Sequence, residues 1–185
     1  MRRKLRLIVF TLVLCIITAC SGSGESISDF TFVNQNNEKV GLKELKGKIW
    51  VADFVFTSCE TVCPPMTAHM TELQKRAEQA GTDVHFVSFS VDPEVDTPEK
   101  LTEFAENYPL NLKKWDFLTG YTQEEIEAFA KKNFQVLVKK PEGEEQVIHG
   151  TSFYLMNQNG ELVSDYNGFK DVPYEEIIED IKKLQ

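Results

Sequence analysis

Cysteine is scarce in this 185-residue chain: there are four, and two of them, Cys15 and Cys20, fall within the first twenty residues. Only Cys59 and Cys63 remain for the body of the protein, which excludes the multi-bridge framework of small secreted domains and leaves one close pair. A disulfide across so short a loop would constrain the unfolded chain weakly, and a domain of this length does not need a staple to fold. The pair therefore calls for a chemical explanation. Positive charge is also in short supply, with 20 Lys and Arg against 29 Asp and Glu. An acidic surface repels nucleic acid and anionic headgroups, so neither is expected as a partner, and a basic partner is favoured. No internal repeat, low-complexity stretch or second domain is present in the pattern.

What the chain does have begins with Arg2, Arg3, Lys4 and Arg6, then the apolar run Leu7 to Ile17, then Thr18-Ala19-Cys20. A short basic segment, an apolar stretch too short for a comfortable span and small residues before a cysteine describe a secretion signal. The tetrad Ile17-Thr18-Ala19-Cys20 resembles a bacterial lipobox, in which the cysteine becomes a diacylated N-terminus after cleavage. Residues 1–19 are accordingly expected to be a signal peptide, and 20–27 the lipidated Cys20 with a flexible tether in which Ser21-Gly22-Ser23-Gly24 supplies the slack. The alternative is an uncleaved anchor with Cys20 as a bystander. Either route leaves the domain, residues 28–185, membrane-attached on the extracytoplasmic side. Residues 1–19 hold four positive charges and no acidic one, so the remainder carries −13 rather than −9.

The domain reads as alternating strands and helices. Thr31, Val33 and Val40 bracket a polar turn and predict an N-terminal hairpin. Ile49 to Phe56 is a nearly continuous apolar run, the signature of a buried central strand. Cys59 and Cys63 follow, then Pro64 and Pro65, then Met66, Met70, Leu73 and Ala77 at helical spacing, so the thiols sit between a strand and a helix. Val84 to Val91 is a second core strand closed by Asp92-Pro93, and Thr97-Pro98-Glu99 opens another helix. A short strand is expected within Asn111–Thr119, a capped helix from Thr122 to about Lys132, another short strand over Phe134–Val138 and an exposed loop over Lys139–Gln146. Ser152 to Tyr166 predicts a hairpin turning at Asn157-Gln158-Asn159-Gly160, and Tyr174–Leu184 an amphipathic terminal helix.

Thiols at a helix N-terminus meet partial positive charge and free N–H groups, which favour thiolate over thiol. Thiolate both attacks disulfides and binds soft metals, so redox and metal chemistry are both open. The three-residue spacer Glu60-Thr61-Val62 exceeds the two residues usual in thioredoxin-like oxidoreductases, and lets both sulfurs converge on one ion while still permitting a disulfide. Peroxidase chemistry of the peroxiredoxin kind needs a threonine three residues before its nucleophile, where this chain has Phe56 and Glu60.

Phe56-Thr57-Ser58-Cys59-Glu60-Thr61-Val62-Cys63-Pro64, the stretch Val87 to Pro98, and His149 in Val147-Ile148-His149-Gly150-Thr151-Ser152 together resemble, in order, the three motifs of the Sco/SenC family. The resemblance covers nearly the whole domain. It implies an α/β, thioredoxin-like fold with a central mixed β-sheet flanked by helices, and a single copper ion, Cu(I) or Cu(II), held by Cys59, Cys63 and His149. It implies a metallochaperone acting in maturation of the binuclear copper site of cytochrome c oxidase subunit II, and a monomer is expected. The alternative is a thiol-disulfide oxidoreductase that reduces that subunit's cysteines, with Cys59 and Cys63 as the redox pair. Two thiolates and one imidazole suit copper, and suit zinc as well; the residues alone leave that choice open and the resemblance favours copper. No proline lies between Pro141 and Pro173, where thioredoxin-like enzymes carry the cis-proline that docks thiol substrates, and this weakens the oxidoreductase reading.

Other candidates have plainer readings. Asp92 follows a core strand and is a candidate to support the copper site or to help a partner dock, while Asp-Pro also simply begins a turn. Met66 and Met70 share helical spacing with Leu73, which points to packing rather than thioether ligation. His69 and His85 are expected to be structural, and Glu60 either tunes the charge of the site or is solvated.

Overall fold

The structure is a computed structural model describing residues 26–185. The expected signal peptide, the lipidation site Cys20 and the Ser-Gly tether lie outside the described residues. A hairpin of β1 (Thr31–Asn34) and β2 (Lys39–Gly41) opens the domain, as its turn residues require, and a single helical turn, α1 (Leu42–Leu45), comes next. β3 (Ile49–Val55) leads to α2 (Cys63–Gln79), β4 (Val84–Ser90), α3 (Pro98–Ala105) and β5 (Trp115–Thr119). Then come α4 (Gln123–Phe134), the hairpin β6 (Ser152–Met156) with β7 (Leu162–Asn167), and α5 (Tyr174–Leu184).

Seven strands form one mixed sheet in the order β2-β1-β5-β4-β3-β6-β7. β3, β4 and β5 run parallel, and the two hairpins add antiparallel pairs at either side. Every residue of β3 is buried, which explains why it reads as a nearly continuous apolar run, broken only by Asp53. One face of the sheet packs Phe54 and Phe89 against Phe129 and Phe134 of α4 and against Tyr154, largely edge to face. On the other face Trp115 stacks on Phe117, which meets Phe104 of α3. Met66, Met70 and Leu73 of α2 are fully buried, each contributing about 1.5–3 kcal/mol by removal from water. The methionines are core residues, as their spacing indicates.

Two expectations need adjustment. The strand expected over Phe134–Val138 does not form: Phe134 ends α4, where it packs on Phe54 and Tyr154, and Gln135 turns the chain with φ of 55°. Beyond Gln135 the chain runs as a strap closed by one bridge, Lys139 to Ile148, with the charged segment between them looping outward. Packing also begins two residues before the expected boundary, since Ser26 bridges Glu161 and Ile27 is buried with its N–H on the Gly160 carbonyl.

Candidate metal centre

β3 ends at the sheet's C-terminal edge, and residues 56–62 form a loop that carries Cys59 and leads into Cys63 at the start of α2. Cys63 is the first helical residue, followed by Pro64 and Pro65, which have no N–H. The helix entrance carries no side-chain cap, and its one early amide, that of Cys63, donates to Cys59 Sγ at 3.3 Å. The hydrogen bond from the Cys63 thiol, with the Cys63 amide bond behind it, holds Cys59 at a pKa of about 3, against the opposing effect of burial. Cys63 is pushed strongly upward, because its proton bonds to Cys59 and because it is buried beside that thiolate. The pair is an unequal one, thiolate at Cys59 and thiol at Cys63, with no disulfide between them.

His149 reaches the same point from the strap 86 residues further on, placing Nε2 3.3 Å from Cys63 Sγ. Its Nδ1 lies 2.8 Å from the Gly150 carbonyl oxygen, which can only accept, so Nδ1 carries the proton and Nε2 presents its lone pair to the sulfurs. The Phe56 ring stands edge-on to the imidazole and walls it on one side. The two sulfurs and a ring nitrogen all lie within 4.8 Å of one another, a spread that one ion can bridge with small adjustment. Soft thiolates with an imidazole suit copper or zinc, and three protein ligands leave a coordination position open.

The other candidates fall elsewhere. Asp92 is buried and bonds to Lys140 Nζ at 2.7 Å, outside the three-ligand cluster. His85 pairs with Asp116 at 2.7 Å, His69 bonds the Gly168 carbonyl, and Glu60 is exposed. No peptide bond among the described residues is cis. Two acids escaped the sequence reading. Asp53 is fully buried on β3, burial pushes its pKa up to about 7, and its negative charge, when present, adds to the upward push on Cys63. Asp96 accepts hydrogen bonds from the Thr57 amide and hydroxyl, fixing the loop that carries Cys59.

A family model described as SCO1/SenC matches residues 19–185. The chain belongs to the SCO1/SenC family. A SCO1/SenC family lipoprotein from Bacillus anthracis is 54% identical, with 86% of this chain and 94% of that one aligned and a TM-score of 0.84. BsSco, a member of the Sco family of cytochrome c oxidase assembly proteins in which a disulfide switch was identified, is 55% identical; 87% and 94% of the two chains align, with a TM-score of 0.81. Bradyrhizobium japonicum ScoI, solved with copper bound, is 28% identical, covering 87% of this chain and all of the other at a TM-score of 0.71. The mixed sheet and its flanking helices are thus the thioredoxin-like fold of Sco proteins, as the sequence motifs imply.

Proposed function

We propose that this Sco protein carries one copper ion between Cys59, Cys63 and His149 and passes it to the binuclear copper site of cytochrome c oxidase subunit II. The observation that carries this reading is the convergence of two sulfurs and an unprotonated imidazole nitrogen within 4.8 Å. Family membership and the copper-bound relative support copper over zinc. Cu(I) is satisfied by the two thiolates, whereas Cu(II) gains from the imidazole. The same site would hold the ion in either state. Residues 1–19 act as a signal peptide and Cys20 as the lipid-bearing N-terminus, placing the domain at the outer face of the cytoplasmic membrane; the Bacillus anthracis relative is a lipoprotein. No described helix is long and apolar enough to cross a membrane.

The test is titration of the reduced full-length chain, purified in detergent, with Cu(I) and with Cu(II). One equivalent bound, with intense sulfur-to-copper charge-transfer absorption in the Cu(II) form, is expected. A second reading, reduction of the oxidase subunit's cysteines, is favoured by the inequality of the thiols. The Cys59 thiolate would attack a target disulfide and expel one target thiolate; Cys63, giving up its proton, would then displace the other and close the Cys59–Cys63 disulfide. Negligible copper affinity combined with rapid disulfide exchange would select this reading over the first.

A further inference from the structure

The imidazole of the site rides on a segment that belongs to neither the sheet nor a helix. From Gln135 to Thr151 the only ladder contact is the bridge between Lys139 and Ile148, whose amides each donate to the other's carbonyl at 2.9 Å. His149 is the next residue. Whatever fixes this strap to the rest of the protein therefore fixes the imidazole.

Val138 and Val147 bury their side chains in the core, and the charged tether of the strap is Lys140. Its Nζ lies 2.7 Å from Asp92 Oδ1, a carboxylate with 1% exposure, and 3.7 Å from Glu94 Oε2. Its amide donates to Glu127 Oε1, whose other oxygen receives Lys139 Nζ. Asp92 is itself rigid: its N–H donates to Ser90 Oγ, and its carbonyl accepts from the amides of Val95 and Asp96. The next amide back, that of Val91, donates to the Val55 carbonyl at the very end of β3, where the cysteine loop begins. Lys140 thus ties the histidine strap to the strand ends from which the thiols spring.

We infer that Lys140 is a positioning residue for His149, and that its ion pair with Asp92 sets how tightly the site holds Cu(II) relative to Cu(I). The inference rests on the copper reading above. With the tether cut, the strap must be ordered by the ion itself, and that entropy is subtracted from binding through the imidazole. Cu(I), held by two thiolates on the loop and helix, is spared most of this loss.

The test compares Lys140→Met and Lys140→Arg with the wild-type full-length chain in detergent. Lys140→Met is expected to lose at least tenfold in Cu(II) affinity and less than threefold in Cu(I), which raises the one-electron potential by about 59 mV for each tenfold of difference. Lys140→Arg, which keeps the charge facing Asp92, is expected to stay within threefold of wild type in both states. Unchanged Cu(II) affinity in Lys140→Met, equal losses in both states, or an arginine variant as weak as the methionine one would each overturn the assignment. Amide exchange at Lys139 and Ile148 supplies a readout independent of copper: it should quicken at least tenfold in Lys140→Met while β3 keeps its protection, and unchanged exchange refutes the tether. Should the single variant fail to fold because Asp92 is left as an unpaired buried charge, Asp92→Asn with Lys140→Met removes both charges and is read in the same way. A wild-type chain that takes up no copper would sink the copper reading, and the exchange rates alone would then decide the tether.

Discussion

The Asp53 carboxylate accepts a 2.6 Å hydrogen bond from the hydroxyl of Ser88, its register partner on the adjacent parallel strand. Ser88 Oγ in turn accepts from Trp115 Nε1 at 2.9 Å, while Asp53 Oδ2 is buried without a partner. A carboxylate so placed resists ionisation, and burial raises its pKa from 3.8 to about 7 even though the Ser88 hydrogen bond pulls the other way.

That shift has a sign. The folded state favours protonated Asp53, so the group's contribution to stability is complete below pH 3.8 and is lost as pH rises to about 7. The loss is on the order of 4 kcal/mol. Asp53→Asn, which stays neutral and can still accept from Ser88, is expected to melt several degrees above wild type at pH 8 and level with it at pH 4. Equal differences at the two pH values would refute the assignment of this charge.

Asp96 holds the cysteine loop through the Thr57 amide, the Thr57 hydroxyl at 2.6 Å and Ser90 Oγ at 2.6 Å. Asp96→Ala strands those donors in a buried site and is expected to cost about 3 kcal/mol. The denaturant midpoint should fall, and metal affinity with it. Asp96→Asn, which keeps an acceptor, should recover roughly half of the stability; if both variants unfold at the wild-type midpoint, the loop is held by something else.

The inequality of the thiols can be read by thiolate absorbance in the ultraviolet. One thiolate is expected to persist in the metal-free reduced protein down to acid conditions, disappearing as pH falls through about 3. Cys63→Ala removes the thiol donor while leaving the backbone bond to Cys59 Sγ, and should lift the midpoint by a unit or more. A wild-type midpoint near 8 would mean that the helix entrance and Cys63 do not stabilise the thiolate.

For the ligands, His149→Ala is expected to keep most of the Cu(I) affinity and lose stable Cu(II) binding, while Cys59→Ala or Cys63→Ala weakens both. Competitive titration with each ion, alongside circular dichroism, distinguishes these outcomes. A His149→Ala variant that bound Cu(II) normally but lost Cu(I) as fully as Cys63→Ala would reverse the division of labour.

The proposed anchoring through Cys20 is expected to be separable from the site. Cys20→Ser should abolish lipid labelling of the chain while leaving copper stoichiometry unchanged. Loss of copper binding by a folded Cys20→Ser chain would contradict the tether assigned to residues 20–27.

Most elements were legible because their signals are local. The apolar run of β3, the capping box Thr122 to Glu125 and the turn before Gly160 each dictate structure within a few residues. Phe134–Val138 misleads for the same reason: its apolar, β-branched residues suit a strand, but the chain is still helical at Phe134, whose ring packs on Phe129 of the same helix. The cysteines announce themselves by spacing, whereas His149 required the family motif, since no local pattern separates a ligand from a core histidine. Asp53 was visible as a polar residue in an apolar strand, yet its meaning depends on Ser88, 35 residues away, and on the thiol it faces. Lys140 looked like solvated loop; its partner Asp92 lies 48 positions earlier and is buried only once the sheet is assembled.

The separation of 86 residues between Cys63 and His149 also orders events during biogenesis. An unfolded chain already holds Cys59 and Cys63 close enough to chelate, but it meets the imidazole only after β4, β5, α4 and the strap are in place. On the copper reading, Cu(I) can be taken up by a nascent or partly unfolded chain, whereas Cu(II) waits for completion of the long-range topology. Cu(II) occupancy would therefore register that the protein has finished folding, and Cu(I) occupancy would not.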